Sequence, residues 1–161
     1  MGAVLLLVEA VLVASLGIWM AVAVYDNWRH PRLNREAVAT VMRLDLMARD
    51  FPDDYAFVSH RRVDSNRLID VAFHTIRWAE TVAAMILGVS SALLIVAAFG
   101  WAPATLANGL AVLATTYFCA IWAGFIIGGN YFHYYFCHQW GQSNHFMFMY
   151  WGLFVLVILI I

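Results

Sequence analysis

The sequence predicts an all-α membrane protein: four transmembrane helices in an up-down bundle, with a polar loop and a short amphipathic helix between the first two. Hydrophobic residues make up 64% of the 161 residues, and the mean hydropathy is +0.77. Soluble domains are roughly half apolar. The charged residues are also confined, since no Asp, Glu, Lys or Arg follows Glu80. Such a chain is suited to lipid as its solvent.

Apolar stretches divide the chain into four spans within a single domain, residues 1–161. About 20 helical residues cross the hydrocarbon layer of a bilayer. The predicted spans cover about residues 3–25, 79–99, 106–128 and 145–161. The first run has no charged region before it and is too long for a signal peptide, which predicts a retained anchor. Gly100–Pro103 is the predicted turn between spans two and three, and Ser143 or Asn144 the predicted cap of span four.

A polar loop of about residues 26–67 joins spans one and two. Within it, apolar positions at helical spacing predict an amphipathic helix over about Arg35–Arg49, capped by Asn34 and ended by Phe51-Pro52. This helix is predicted to lie on the membrane surface or on a neighbouring element. Packing against the rest of the loop is an equal alternative.

Alternation of four spans gives the molecule one chemically distinct end. The end of span one, the start of span two, the end of span three and the start of span four must share a membrane face. All nine Arg and all six His therefore gather there, together with Glu80 and Cys137. The opposite face keeps Glu9, Thr105 and Asn108 as its notable polar side chains.

The stretch Gly128–Trp151, here called the aromatic segment, holds the candidate ligands. Ten of the twenty-one residues from Tyr131 to Trp151 are aromatic, and His133, Cys137, His138 and His145 lie among them. We interpret the segment as an aromatic belt at the lipid–water boundary. Because imidazole and thiolate groups bind zinc, copper or haem iron, the alternative is that these four residues form a metal, haem or quinone site. The spacing matches no standard zinc or haem motif.

Three ionisable residues in or beside the spans are candidate partner or ion-pair contacts: Glu9, Arg77 and Glu80. Arg77 and Glu80 are three residues apart on one helix, a spacing that permits an ion pair. Glu9 lies inside span one, away from every Arg. We expect it to be protonated, hydrogen-bonded to Asn108 or to a Thr of span three, or paired with another subunit, and a proton-relay role is the alternative.

The composition also narrows the class of function. The sequence has no basic stripe of the kind that binds nucleic acid. It also has no nucleophile–base arrangement and no phosphate loop of the kind found in enzymes. We predict a small accessory or structural subunit of a larger membrane complex of respiratory, photosynthetic or membrane-oxygenase type, with membrane lipids and other membrane subunits as partners. The alternatives are a redox protein that binds metal, haem or quinone, and a small proton-coupled transporter that uses Glu9 and Glu80.

Several segments resemble one bacterial family. They are Gly128–Phe132, Gln139–Gln142, Phe146, Trp122, Gly124-Phe125, Tyr25–Asn27, Val41–Asp45 and Trp78–Glu80. Together they are similar to the predicted small integral membrane proteins, domain of unknown function 2165, across nearly the whole chain. The resemblance implies a multi-pass protein of the bacterial inner membrane with the long loop on the periplasmic side. The Arg-rich loop by itself favours the cytoplasmic side. The family has no established activity, and the His/Cys cluster is not a family feature.

Overall fold

The computed structural model describes residues 2–161, and these residues form helices joined by short connections. The helices are α1 (Ala3–Arg29), α2 (Pro31–Met42), α3 (Asp45–Asp50), α4 (Pro52–Val58), α5 (Asn66–Ala98), α6 (Ala104–Tyr131), α7 (Tyr134–Cys137) and α8 (Gln139–Ile160). A 3₁₀ turn, Ser59–Arg61, follows α4.

Four of these helices, α1, α5, α6 and α8, are long and apolar enough to cross a membrane. The predicted all-α bundle of four spans is therefore confirmed. Only helices satisfy their backbone groups internally while facing lipid on their sides. The chain turns between α5 and α6 at Gly100–Pro103, as predicted.

The bundle consists of two helix pairs. α1 packs along α5, α6 packs along α8, and the α5–α6 hairpin joins the pairs. Large apolar side chains fill the centre, among them Leu16, Met20, Leu87, Leu94 and Phe118, each fully buried. The core face of α6 is lined by alanines, which let the neighbouring helices approach it closely.

Gly152 is the point of closest approach between α6 and α8. A Cβ at this position would lie 2.6 Å from Sγ of Cys119 and 2.8 Å from Cδ1 of Phe118. Both atoms belong to α6, so α8 needs glycine where the side chains of α6 press against its backbone.

The predicted amphipathic helix is divided in two. It begins at Pro31, whose fixed φ suits the first helical position, and it stops at Met42. Leu44 adopts a left-handed conformation with φ 54°, and α3 begins at Asp45. A left-handed non-glycine residue costs about 1–2 kcal/mol. Burial offsets that cost, because Leu44 and Met47 are buried in a second apolar cluster with Val58.

α2 lies on the outer part of α5, whereas Leu44 and Met47 pack on Val58 within the loop, so each packing alternative describes one part of the predicted helix. Nε of Arg35 donates to Oδ1 of Asp70 at 2.6 Å, and Nη2 of Arg43 donates to Oδ1 of Asn66 at 2.7 Å. Asn34 caps no helix, since it lies inside α2. α5 itself begins at Asn66, where Oγ of Ser65 accepts a hydrogen bond from the backbone of Leu68.

The loop and the aromatic segment meet at one end of the bundle, here called the loop-side end. The cluster of Leu44, Met47 and Val58 packs against Phe132, Phe136 and Cys137. α8 begins at Gln139, ahead of the predicted start near His145, so Ser143 and Asn144 lie inside the helix and cap nothing. The added turns carry the side chain of Gln142 back toward α6.

Candidate functional site

The aromatic segment folds around a break after α6. His133 is left-handed with φ 53°, so His133 and Cys137 do not continue one helix. Tyr131 and Phe132 end α6, and the four-residue helix α7 then turns the chain toward α8. The turn is closed by a hydrogen bond of 3.0 Å from Nε2 of Gln142 to Oδ1 of Asn130.

Tyr134 occupies the centre of this segment between two histidines. Its ring lies parallel to His138 at 4.6 Å between centroids and parallel to His145 at 5.6 Å. Gly141 makes room for it, because a Cβ there would collide with the hydroxyl of Tyr134. His145 continues the aromatic contact to Phe125 and Trp122. The histidines thus serve as aromatic packing partners.

The four predicted metal ligands have different neighbours. His133 contacts Arg61 and Tyr135, Cys137 faces Met47, and only His138 and His145 share a neighbour in Tyr134. Residues 2–161 contain no group of three or more His, Cys, Asp or Glu side chains arranged to hold a metal ion. This arrangement gives the metal hypothesis no support, and it stays a prediction, as do haem and quinone binding.

Cys137 has its nearest polar contact within the chain. Burial raises the pKa of the Cys137 thiol, the nearby Asp50 carboxylate raises it further, and the Arg49 guanidinium lowers it. Sγ of Cys137 lies 3.9 Å from Sδ of Met47.

His133 is held in its neutral form. Nη1 of Arg61 lies 3.1 Å from Nε2 of His133. Because a guanidinium only donates, Nε2 accepts, and Nδ1 carries the proton that faces Oη of Tyr135 at 3.0 Å. Burial lowers the pKa of His133, and the charges of Arg61 and His60 lower it further. Burial likewise lowers the pKa of His138.

These shifts predict that the protein loses stability as the pH falls. An unfolded histidine takes up a proton near pH 6.5, while the folded side chain resists it to lower pH. Between those two pKa values the unfolded state binds more protons, so we expect a lower unfolding midpoint at pH 5.5 than at pH 7.5. The variant His133→Gln keeps an acceptor for Arg61 and does not titrate, and should reduce this drop.

Thermal unfolding in detergent at both pH values measures the effect. His30→Gln, a change at an exposed histidine in the connection to α2, serves as the control. An equal drop in the two variants would contradict a role for His133.

The proposed Arg77–Glu80 pair is not formed. Nδ2 of Asn27 donates to Oε2 of Glu80 at 2.5 Å, and both side chains are buried. The guanidinium of Arg77 instead stacks on Trp28, 3.9 Å from the ring centroid, and contacts Nδ1 of His74. No carboxylate within the described part of the chain forms an ion pair with Arg77.

Glu9 lies near the opposite end of the bundle. It is 1% exposed and has the side chain of Asn108 beside it. Among residues 2–161 its Oε2 has no hydrogen-bond partner. Glu9 therefore faces the interior of this chain and not its outer surface. It precedes Asn27, the partner of Glu80, by eighteen residues on α1, about 27 Å at 1.5 Å per residue.

Some residues at the loop-side end were not predicted. Asn27 and Trp28 reach across to Glu80 and Thr81, and the Nε1–Oγ1 distance between Trp28 and Thr81 is 3.1 Å. The two pairs use neighbouring residues of α1 and neighbouring residues of α5, so they lie at about the same depth in the bundle. A search for polar residues at matching depth on spans one and two would have found them.

Four apolar spans and a loop confined to one end define a small multi-pass integral membrane protein. The profile of the family described as predicted small integral membrane protein (DUF2165) matches residues 5–161. The chain therefore belongs to this family, and the predicted resemblance is confirmed. No match was found among curated proteins or among solved structures.

Proposed function

We propose that this protein is a small accessory subunit of a larger membrane complex, held there through the outer face of α6. The supporting observation is a row of small exposed residues on that face, Thr116, Ala120 and Gly124, here called the α6 stripe. Its members are four residues apart. Within residues 2–161, a Cβ added at Gly124 would meet no atom within 4 Å.

Small residues at this spacing have a known use in membranes. They let two helix backbones approach closely, and the resulting van der Waals contact drives association where lipid removes the hydrophobic effect. Gly152 and the buried alanines of α6 are used in this way inside the bundle. The α6 stripe has the same chemistry, but it faces outward. A transmembrane helix of another chain is the occupant that fits it.

The rest of the surface supports the same role. Of the most apolar 18-residue stretch of α8, only 17% is buried inside the chain. Its outward side chains, including Phe154, Val157 and Ile160, are exposed and apolar. Because α8 makes so little contact with the rest of the bundle, its apolar surface is available to lipid and to neighbouring subunits.

Site-specific photo-crosslinking in native membranes tests the proposal. A photoreactive residue at Ala120 should give one defined adduct with another membrane protein, and Gly124→Leu should reduce its yield about tenfold, the effect of about 1.4 kcal/mol. Gly88→Leu is the matched control, because Gly88 on α5 is also exposed and open. No defined adduct, or equal losses in the two variants, would contradict the proposal.

A further inference from the structure

The outer face of α1 carries a continuous row of side chains, here called the α1 seam. Its members follow one another at alternating steps of four and three residues: Val4, Val8, Val11, Ser15, Ile18, Val22 and Tyr25. Ser15 is half-buried and the other six are exposed. The residues that α1 buries in its own bundle, such as Val13, Leu16 and Met20, lie on the other side of the helix. The seam therefore faces out of the molecule.

The seam is as long as the apolar part of a bilayer is thick. Val4 and Tyr25 are 21 residues apart, about 32 Å along a helix, and the hydrocarbon layer is about 30 Å thick. The next position in the series is Arg29, the last residue of α1. Within the seam, Oγ of Ser15 donates to the backbone oxygen of Leu12 at 2.6 Å, so this hydroxyl needs no outside partner. An apolar surface thus crosses the membrane without interruption by a charge.

The seam is also rich in stiff side chains. Valine and isoleucine occupy five of its seven positions, while all five leucines of α1 lie off the seam. A β-branched side chain in a helix has one strongly preferred χ1 rotamer. It therefore loses little conformational freedom when another helix packs on it. This composition favours the seam as a surface for helix packing.

A groove of about 310 Å³ opens on the seam near the start of α1. Val4, Leu7, Val8 and Val11 line it, together with Leu12. The first four occupy positions i, i+3, i+4 and i+7 of the helix. In knobs-into-holes packing, four residues at this spacing form the hole that receives one side chain of a facing helix. Transmembrane helices pack in the same geometry.

We propose that the α1 seam binds the α1 seam of a second copy of this chain, in a symmetric dimer with the two α1 helices parallel. Copies inserted in the same orientation place equal residues at equal depth. In a two-fold symmetric contact, each copy uses the same surface. Val8 of the second copy then lies at the depth of the groove and enters it, and Val8 of the first copy does the same in return.

This self-complementarity favours a second copy over an unrelated helix. The seam supplies both the hole and, at the same depth, the side chain that fills it, whereas another helix would need a matching side chain at that depth. The dimer goes beyond the accessory role, because it uses α1 and not the α6 stripe. Crosslinking at Ala120 and dimerisation through α1 can therefore succeed or fail separately.

Disulfide formation in proteoliposomes of the full-length protein tests the dimer. In a background with Cys119→Ala and Cys137→Ala, Val11→Cys should give a disulfide-linked dimer on oxidation, because facing seam residues have their α carbons within the disulfide range of about 7 Å. Val89→Cys is the matched control. It replaces an exposed valine of α5 at a similar depth, since Ser91 of α5 contacts Ala10 of α1. It should give about tenfold less dimer.

Energy transfer between donor-labelled and acceptor-labelled copies, at decreasing protein-to-lipid ratio, measures the affinity. Val11→Phe overpacks the seam and should weaken association about tenfold. Val89→Phe makes the same change outside the seam and should leave association within about twofold. Both side chains point away from the bundle, so both variants keep its core intact.

Three results would overturn the proposal: monomers at every protein-to-lipid ratio, equal dimer yields from Val11→Cys and Val89→Cys, or equal effects of the two phenylalanine variants. Oxidation in native membranes adds one more check. There, a disulfide adduct of Val11→Cys with a different protein, in place of the dimer, would assign the seam to another partner and would also overturn the proposal.

Discussion

Replacement of Gly152 by leucine should destabilise the folded bundle by at least about 3 kcal/mol, the upper part of the range for overpacked cores. The first added atom already falls 2.6 Å from Sγ of Cys119 and 2.8 Å from Cδ1 of Phe118. Neither side chain has free space to move into, because Phe118 is fully buried and Cys119 is buried beside it. The α6–α8 pair must therefore separate to admit a larger residue.

Denaturant unfolding in detergent, followed by circular dichroism, measures this loss. Gly88→Leu makes the same change at an exposed glycine where an added Cβ would meet no atom of residues 2–161 within 4 Å, and it should leave the unfolding midpoint nearly unchanged. Gly152→Ala should cost less than the leucine variant, and Cys119→Ala should restore part of that loss by removing the nearest atom. Similar midpoints for Gly152→Leu and Gly88→Leu would refute the close approach.

Replacement of Asn27 by leucine should cost about 1–3 kcal/mol, because it leaves a buried carboxyl without its hydrogen-bond donor. Asn27 is 7% exposed and Glu80 is 5% exposed, so water does not readily replace the lost bond. Glu80→Gln should cost less, since a glutamine oxygen still accepts from Nδ2 of Asn27.

A double-mutant cycle isolates this interaction. The variant Asn27→Leu with Glu80→Leu removes both polar groups and should be more stable than Asn27→Leu alone. Asn144→Leu, at an exposed asparagine of α8, should stay within about 0.5 kcal/mol of the unchanged protein. If the two single losses simply add in the double variant, Asn27 and Glu80 are not coupled.

The architecture could be predicted because lipid leaves few structural solutions. Long apolar runs in a chain of this length allow little other than helices, and the restriction of every charged residue except Glu9 to residues 26–80 identifies the polar end. The turn at Gly100–Pro103 could also be predicted, because glycine and proline end helices for local reasons.

The helix breaks at Leu44 and His133 could not be predicted in this way. Both residues have positive φ, although neither is glycine. Their conformations depend on tertiary contacts, namely the burial of Leu44 with Met47 and the contacts of His133 with Arg61 and Tyr135. Local propensity in the sequence carries no signal for either.

Helical spacing alone does not identify the contacts of two sets of residues. The three-residue step from Arg77 to Glu80 permits an ion pair, yet each side chain has a better partner on α1. In the aromatic segment, the helix break at His133 separates His133 from Cys137. His138 and His145 instead stack on Tyr134. In both cases the partners of these side chains are set by contacts between segments distant in the sequence. The spacing of residues within one helix does not predict such contacts.

The most direct test of the four-span topology is the membrane side of three introduced cysteines. In a background with Cys119→Ala and Cys137→Ala, single variants Asp53→Cys, Ser143→Cys and Thr105→Cys place a thiol in the loop, in the aromatic segment and beside the α5–α6 turn. We predict that a membrane-impermeant maleimide labels Asp53→Cys and Ser143→Cys from one side of sealed vesicles and Thr105→Cys from the other. Labelling of Asp53→Cys and Ser143→Cys from opposite sides would contradict four crossings with a shared loop-side end.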